Sequence, residues 1–170
     1  MQVLAAFLIA VLVAPPASLA QQTGASIDSP AGSRSVLQVQ GNGVQIYTCT
    51  DTHDGLKWVL KAPDAKLLDA SGKVIGKHFA GPTWSLDDGS QVQGVLIASK
   101  PAPEANSVAW LLLGAKTGTA TGKLAEVKFI RRTETHGGVA AQSGCQSSVV
   151  DAGKLAQIPY TATYTFYAER

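Results

Sequence analysis

The residues best able to do chemistry lie close together. The stretch His78-Phe79-Ala80-Gly81-Pro82-Thr83-Trp84-Ser85-Leu86-Asp87-Asp88-Gly89-Ser90 holds a histidine, a Gly-Pro break, a tryptophan and two adjacent carboxylates within 13 residues. An imidazole beside a carboxylate can exchange protons or hold zinc, iron or copper. His78 with Asp87 or Asp88 is therefore a candidate acid–base pair, and His136 joins it if the fold brings the two histidines together. The spacing His-x8-Asp matches no metal motif, and no metal is assigned. Asp87-Asp88-Gly89 reads more simply as a turn, with Asp bonding its own downstream backbone and Gly supplying positive φ. Trp84, just after Gly81-Pro82, either offers a flat apolar face to a ring or sugar or fills the core. His136-Gly137-Gly138 reads as a turn where backbones approach closely. The ligand-binding candidates are thus His78, Trp84, Asp88 and His136, with no catalytic residue assigned.

Other chemistries find little support. Ser85, Ser90 and Ser99 lie near the stretch, but no G-x-S-x-G surrounds them. Gly41-Asn42-Gly43-Val44-Gln45-Ile46 starts like a dinucleotide fingerprint, yet Ile46 stands where the third glycine belongs and a strand follows. Gly118-Thr119-Ala120-Thr121-Gly122-Lys123-Leu124 is one residue short of a phosphate loop and lacks its Ser or Thr. No cofactor is expected. Arg131-Arg132 closes a strand, where the two side chains must face opposite sides. One is expected to be exposed and the other to pair with an Asp or Glu.

The segments that must position these residues begin after residue 20. The apolar run from Gln2 to Ala14, the break at Pro15-Pro16 and the small residues of Ser18-Leu19-Ala20 read as a cleaved export signal, although no Lys or Arg follows Met1. The apolar run is shorter than the roughly 20 residues a membrane-spanning helix needs. Removing it leaves 170 − 20 = 150 residues, one domain with a proper core. Residues 21–34 are small and polar and read as a flexible lead-in; 35–170 form the domain. The net charge of +2 is too small to indicate nucleic-acid binding or a membrane-surface role. The expected location is secreted or periplasmic. There, Cys49 and Cys145 are expected to form a disulfide.

The pattern is that of an all-β single domain, a sandwich or barrel with long loops. Val36–Gln40 and Val44–Cys49 read as strands joined by a turn at Gly41-Asn42-Gly43. The second places Val44, Ile46 and Thr48 on one face, and Gln45, Tyr47 and Cys49 on the other. Lys57–Lys61 is a short strand ended by Pro63. Val108–Leu113 lacks alternation and reads as a strand buried on both faces. Tyr160–Tyr167 alternates cleanly: Tyr160, Ala162, Tyr164 and Phe166 face the core and the threonines face solvent.

A family resemblance rests on Gly43-Val44-Gln45-Ile46-Tyr47-Thr48-Cys49, Trp58, Ala62-Pro63, Gly76 to Trp84, Asp88-Gly89-Ser90, Trp110 to Leu113, Ile130-Arg131-Arg132, Thr135 to Gly138 and Tyr160 to Tyr167. In this order the motifs resemble the secreted domain-of-unknown-function 3455 family of bacteria and fungi. The resemblance covers most of the mature chain. It implies a secreted β domain and brings no activity.

The functional expectation is a ligand-binding or surface-interaction module for a small molecule or glycan. The alternatives are a metal-assisted or acid–base enzyme using His78, Asp87 or Asp88 and His136, and a structural envelope protein without a pocket. No nucleic-acid partner is expected, and no membrane span after signal cleavage.

Overall fold

A computed structural model describes residues 26–141, 143–147 and 150–170. The expected export signal and the first five residues of the expected lead-in, 21–25, therefore lie outside the described residues. The described chain holds eight strands and no helix: β1 Ser33–Thr52, β2 Gly55–Leu68, β3 Val74–Phe79, β4 Thr83–Leu86, β5 Gln91–Lys100, β6 Trp110–Gly118, β7 Val127–Gly137 and β8 Leu155–Glu169. Each pairs antiparallel with the next, and β8 returns to β1, closing an up-and-down barrel. An eight-stranded barrel is just wide enough for side chains to fill, or to hold one small ligand.

The barrel is organised on β1, a continuous strand of 20 residues. Gly41-Asn42-Gly43 lies inside it and makes no turn. The glycines serve closeness instead: a Cβ on Gly41 would sit 2.6 Å from the Tyr164 ring. Asn-Gly signals a hairpin only when the chain reverses, and here the register with β8 runs straight through Asn42↔Thr161. Pro63 likewise does not end β2. It pairs only with Gln45 of β1, because β3 meets β2 over Ala65–Leu68 alone. Proline is tolerated on such an open edge.

The face of β1 that carries Gln45, Tyr47 and Cys49 points inward, together with Val39 and Gly41. Leu67, Trp84, Leu86, Val92, Leu113, Ile130, Tyr164 and Phe166 fill the interior around them. The threonines of β8 are not a free solvent face. Thr163 and Thr165 are buried under Gln40 and Gln38, which donate to their hydroxyls at 2.9 and 3.2 Å.

β6 is covered on both sides, as its unbroken apolar run predicts. Leu113 faces the interior, and Leu112 packs outside with Ala98, Phe129 and Ile27. Ile27 is thus buried within the expected lead-in, and β1 starts at Ser33. Cys49 and Cys145 are bonded, with Cα atoms 5.5 Å apart.

Because the strands alternate in direction, the β1–β2, β3–β4, β5–β6 and β7–β8 connections all lie at one end. The β7–β8 loop is held there by the disulfide, by the Tyr47 hydroxyl donating to Gly138 O at 2.7 Å, and by the Trp58 Nε1–H donating to Ser143 O at 3.1 Å.

Candidate functional site in the barrel mouth

β3 and β4 are the shortest strands and form a hairpin around Ala80-Gly81-Pro82, with Gly81 at φ 103°. Proline fixes one half of this turn and glycine takes the left-handed half. His78 is then the direct partner of Trp84 across the hairpin. Directly opposed residues share a face, and here that face is the interior. The two rings stack with centroids 4.4 Å apart and planes 9° apart. The Tyr164 ring meets both edge-on, at 5.0 and 5.5 Å.

A cavity of about 150 Å³ lies against this cluster. Its apolar walls are Leu60, Pro63, Pro82, Leu111 and Leu113. Its polar groups are Gln45, His78, Trp84, Arg132 and Tyr164. The wall is low on one side. Beyond the short β3–β4 hairpin, residues 55–64 of β2 pair only with β1, and residues 95–100 of β5 pair in strand register only with β6. Leu60 and Leu96 are opposite the inward residues Tyr47 and Leu113, yet stand 51% and 57% exposed. Leu60 lines the cavity itself, and Leu96 lies cross-strand from the lining residue Leu113.

The Nδ1–H of His78 donates to Thr83 O at 2.8 Å, since a carbonyl can only accept. The other ring nitrogen is thereby an acceptor. Burial pushes the His78 pKa down to about 4; the Thr83 bond opposes this, and the Arg132 charge adds to it. The imidazole is neutral at pH 7. Burial also raises the Tyr160 and Tyr164 hydroxyls, whose oxygens lie 3.2 Å apart, so both stay protonated. Gln45 is 1% exposed, and neither its Nε2 nor its Oε1 has a partner among the described residues. The Trp84 Nε1–H is buried without a partner in the same sense.

The titration of His78 has a measurable consequence. The native ring stays neutral down to about pH 4, whereas the unfolded ring takes up its proton near 6.5. Between those values the unfolded chain binds more protons, so stability falls as pH falls. The loss is complete below the native value and reaches about 3 kcal/mol. Denaturant midpoints measured from pH 7 to pH 4 should therefore fall more steeply in the wild type than in His78→Gln. Parallel slopes would contradict a buried neutral His78.

Of the residues singled out in the sequence, His78 and Trp84 meet in the cavity wall. Asp88 does not join them. It sits in the β4–β5 turn at the opposite end, accepting from the Ser90 hydroxyl, the Ser90 N–H and the Lys123 N–H at 2.6, 2.9 and 2.9 Å. These bonds, that from the Ser90 hydroxyl first, hold its carboxyl below the usual range. Gly89 has the positive φ that the turn reading asks for. Asp87 is exposed in the same turn. His136 lies at the mouth end of β7 but faces outward, bonded to Glu104 of the β5–β6 loop. Among the described residues no three His, Cys, Asp or Glu side chains cluster.

Three lining groups were not singled out as site residues. Gln45 and Tyr164 lie on strand faces whose alternation was legible. Arg132 is the inward member of its pair, while Arg131 points outward to Asp28 at 3.5 Å. The expected ion pair thus belongs to Arg131, and neither arginine is fully exposed. Trp110 Nε1 and Arg131 Nε are also buried without partners among the described residues. They adjoin a depression outside the barrel under Ser26–Asp28, where the chain before residue 26 is not described.

The described residues thus form a closed antiparallel up-and-down β-barrel with a small, partly polar cavity at one end. Residues 30–168 match the family model described as protein of unknown function (DUF3455), and the chain belongs to that family. No curated protein and no solved structure matches the chain.

Proposed function

We propose that this protein is an exported binding module that takes a small, ring-sized molecule into the barrel mouth. The observation that carries the reading is the Gln45 amide, fully buried at the cavity and without a partner among the described residues. A buried polar group left unsatisfied costs about 1–3 kcal/mol. An apolar side chain of the same shape would avoid that cost, and the unpaired amide is free to bond a polar group of a ligand. A cavity of about 150 Å³ is the size that accommodates a benzene ring. Convergent polar groups on apolar walls are the usual build of a ligand site. The acid–base alternative draws less support, because Asp88 and His136 are engaged elsewhere. Export is supported by the apolar run before Ala20 and by the disulfide.

The test uses phenol and benzamide as probes, read by the indole N–H resonances. Trp84 should shift and saturate, while Trp58 and Trp110 serve as internal controls. Gln45→Leu should weaken binding of benzamide about tenfold, equivalent to one lost hydrogen bond to a polar ligand group. The same variant should be as stable as the wild type or more so. Unchanged binding in Gln45→Leu, or no Trp84 shift with either probe, would defeat the reading.

A further inference from the structure

We propose that the ligand of this cavity is a carboxylate with an apolar body, its charge held by Arg132 and its body directed toward Leu60 and Leu96. This rests on the binding reading above and adds the charge and orientation of the ligand. Arg132 enters from β7 and is half-buried in the cavity wall. Its Nε and Nη2 both donate to Ala109 O, at 3.0 and 2.7 Å. Ala109 O and the neighbouring Tyr164 hydroxyl are both neutral, so they hold the guanidinium and leave its charge unbalanced. Among the described residues no Asp or Glu oxygen lies within 4.0 Å of it, whereas Arg131, Arg34, Lys57 and Lys154 all have a carboxylate.

The remaining polar groups of the cavity do not supply the missing charge. His78 is neutral and the tyrosines keep their protons. Asp64 of β2 is exposed and forms no ion pair among the described residues. The cavity thus carries one positive charge in apolar surroundings, where a charge is costly unless it is paired. Two further donors are unspent, the Trp84 Nε1–H and the Gln45 amide N–H. Guanidinium and N–H donors together are what a carboxylate accepts from. Leu60 in the cavity wall and Leu96, cross-strand from the lining residue Leu113, are both half-exposed and make apolar surface available to the rest of the molecule.

Benzoate and its neutral counterpart benzamide separate the charge from the shape. Calorimetric titration of the wild-type protein at pH 7 and low salt should find benzoate at least about tenfold tighter than benzamide. Arg132→Gln should bring benzoate down to the level of benzamide and leave benzamide little changed, and Arg132→Lys should keep part of the preference. Should Arg132→Gln fail to fold, the wild-type comparison and Arg132→Lys decide. Equal affinities, with Trp84 still shifting for benzamide, would overturn the carboxylate and leave the binding reading standing. No Trp84 shift with either compound would remove both.

Discussion

Replacing Trp84 by alanine should destabilise the protein by about 3–5 kcal/mol, the cost of deleting a fully buried aromatic. Trp84 is 1% exposed and stands at the centre of the barrel's aromatic cluster, stacked on His78 and edge-on to Tyr164 and Phe166. Its neighbours cannot close the hole. His78 is fixed by its bond to Thr83 O, and the Tyr164 ring is seated over Gly41. Domains of this size are stable by roughly 5–15 kcal/mol, so the loss is a large share of the total. Melting temperature should fall by roughly 10–20 °C. Trp84→Phe should lose less, since it keeps a ring against His78. A change below about 1 kcal/mol would mean that Trp84 is only a site residue and not part of the core. The same side chain lines the cavity, so binding in Trp84→Ala is read only where the variant is folded.

The second large effect is expected at the disulfide. Cys49 is buried on the inward face of β1, and its bond to Cys145 spans a sequence separation of 96. Constraining the unfolded chain over so long a loop is worth about 4–5 kcal/mol on chain-entropy grounds. Replacing both cysteines by serine should lower the urea midpoint accordingly, with little change in slope. Exchange of backbone amides should quicken first in the β7–β8 loop, which then keeps its bonds through Tyr47 and Trp58 and the backbone bonds of Gly153 and Lys154 to Cys49. The unfolded, non-reduced wild type should titrate no thiol. Two free thiols, or a midpoint within about 1 kcal/mol of wild type, would contradict this account.

Much of the fold was legible because it depends on local chemistry. Alternation in Tyr160–Phe166 identified a core face, and all four of its side chains are buried. The Gly81-Pro82 turn placed His78 and Trp84 on either side of a tight reversal, where pairing brings them into contact. Two cysteines in a chain with an export-like start predicted the bond that is present. The motif order identified the family.

What the sequence left open is whatever depends on which side of a sheet becomes the inside. Alternation sorts Gln45, Tyr47 and Cys49 from Val44, Ile46 and Thr48, but period two is symmetric and does not rank the faces. Composition favours burying Val and Ile; closure of the barrel buried the other set, because β8 lays Tyr164 across Gly41 on that side. The same closure turned Arg132 inward and Arg131 out, and separated Asp88 from His78 by putting the β4–β5 turn at the far end. Leu60 and Leu96 are exposed only because β3 and β4 stop short of them. Strand identity is a local property of the chain; the choice of sandwich or barrel, and with it the cavity, was made by the return of β8 to β1.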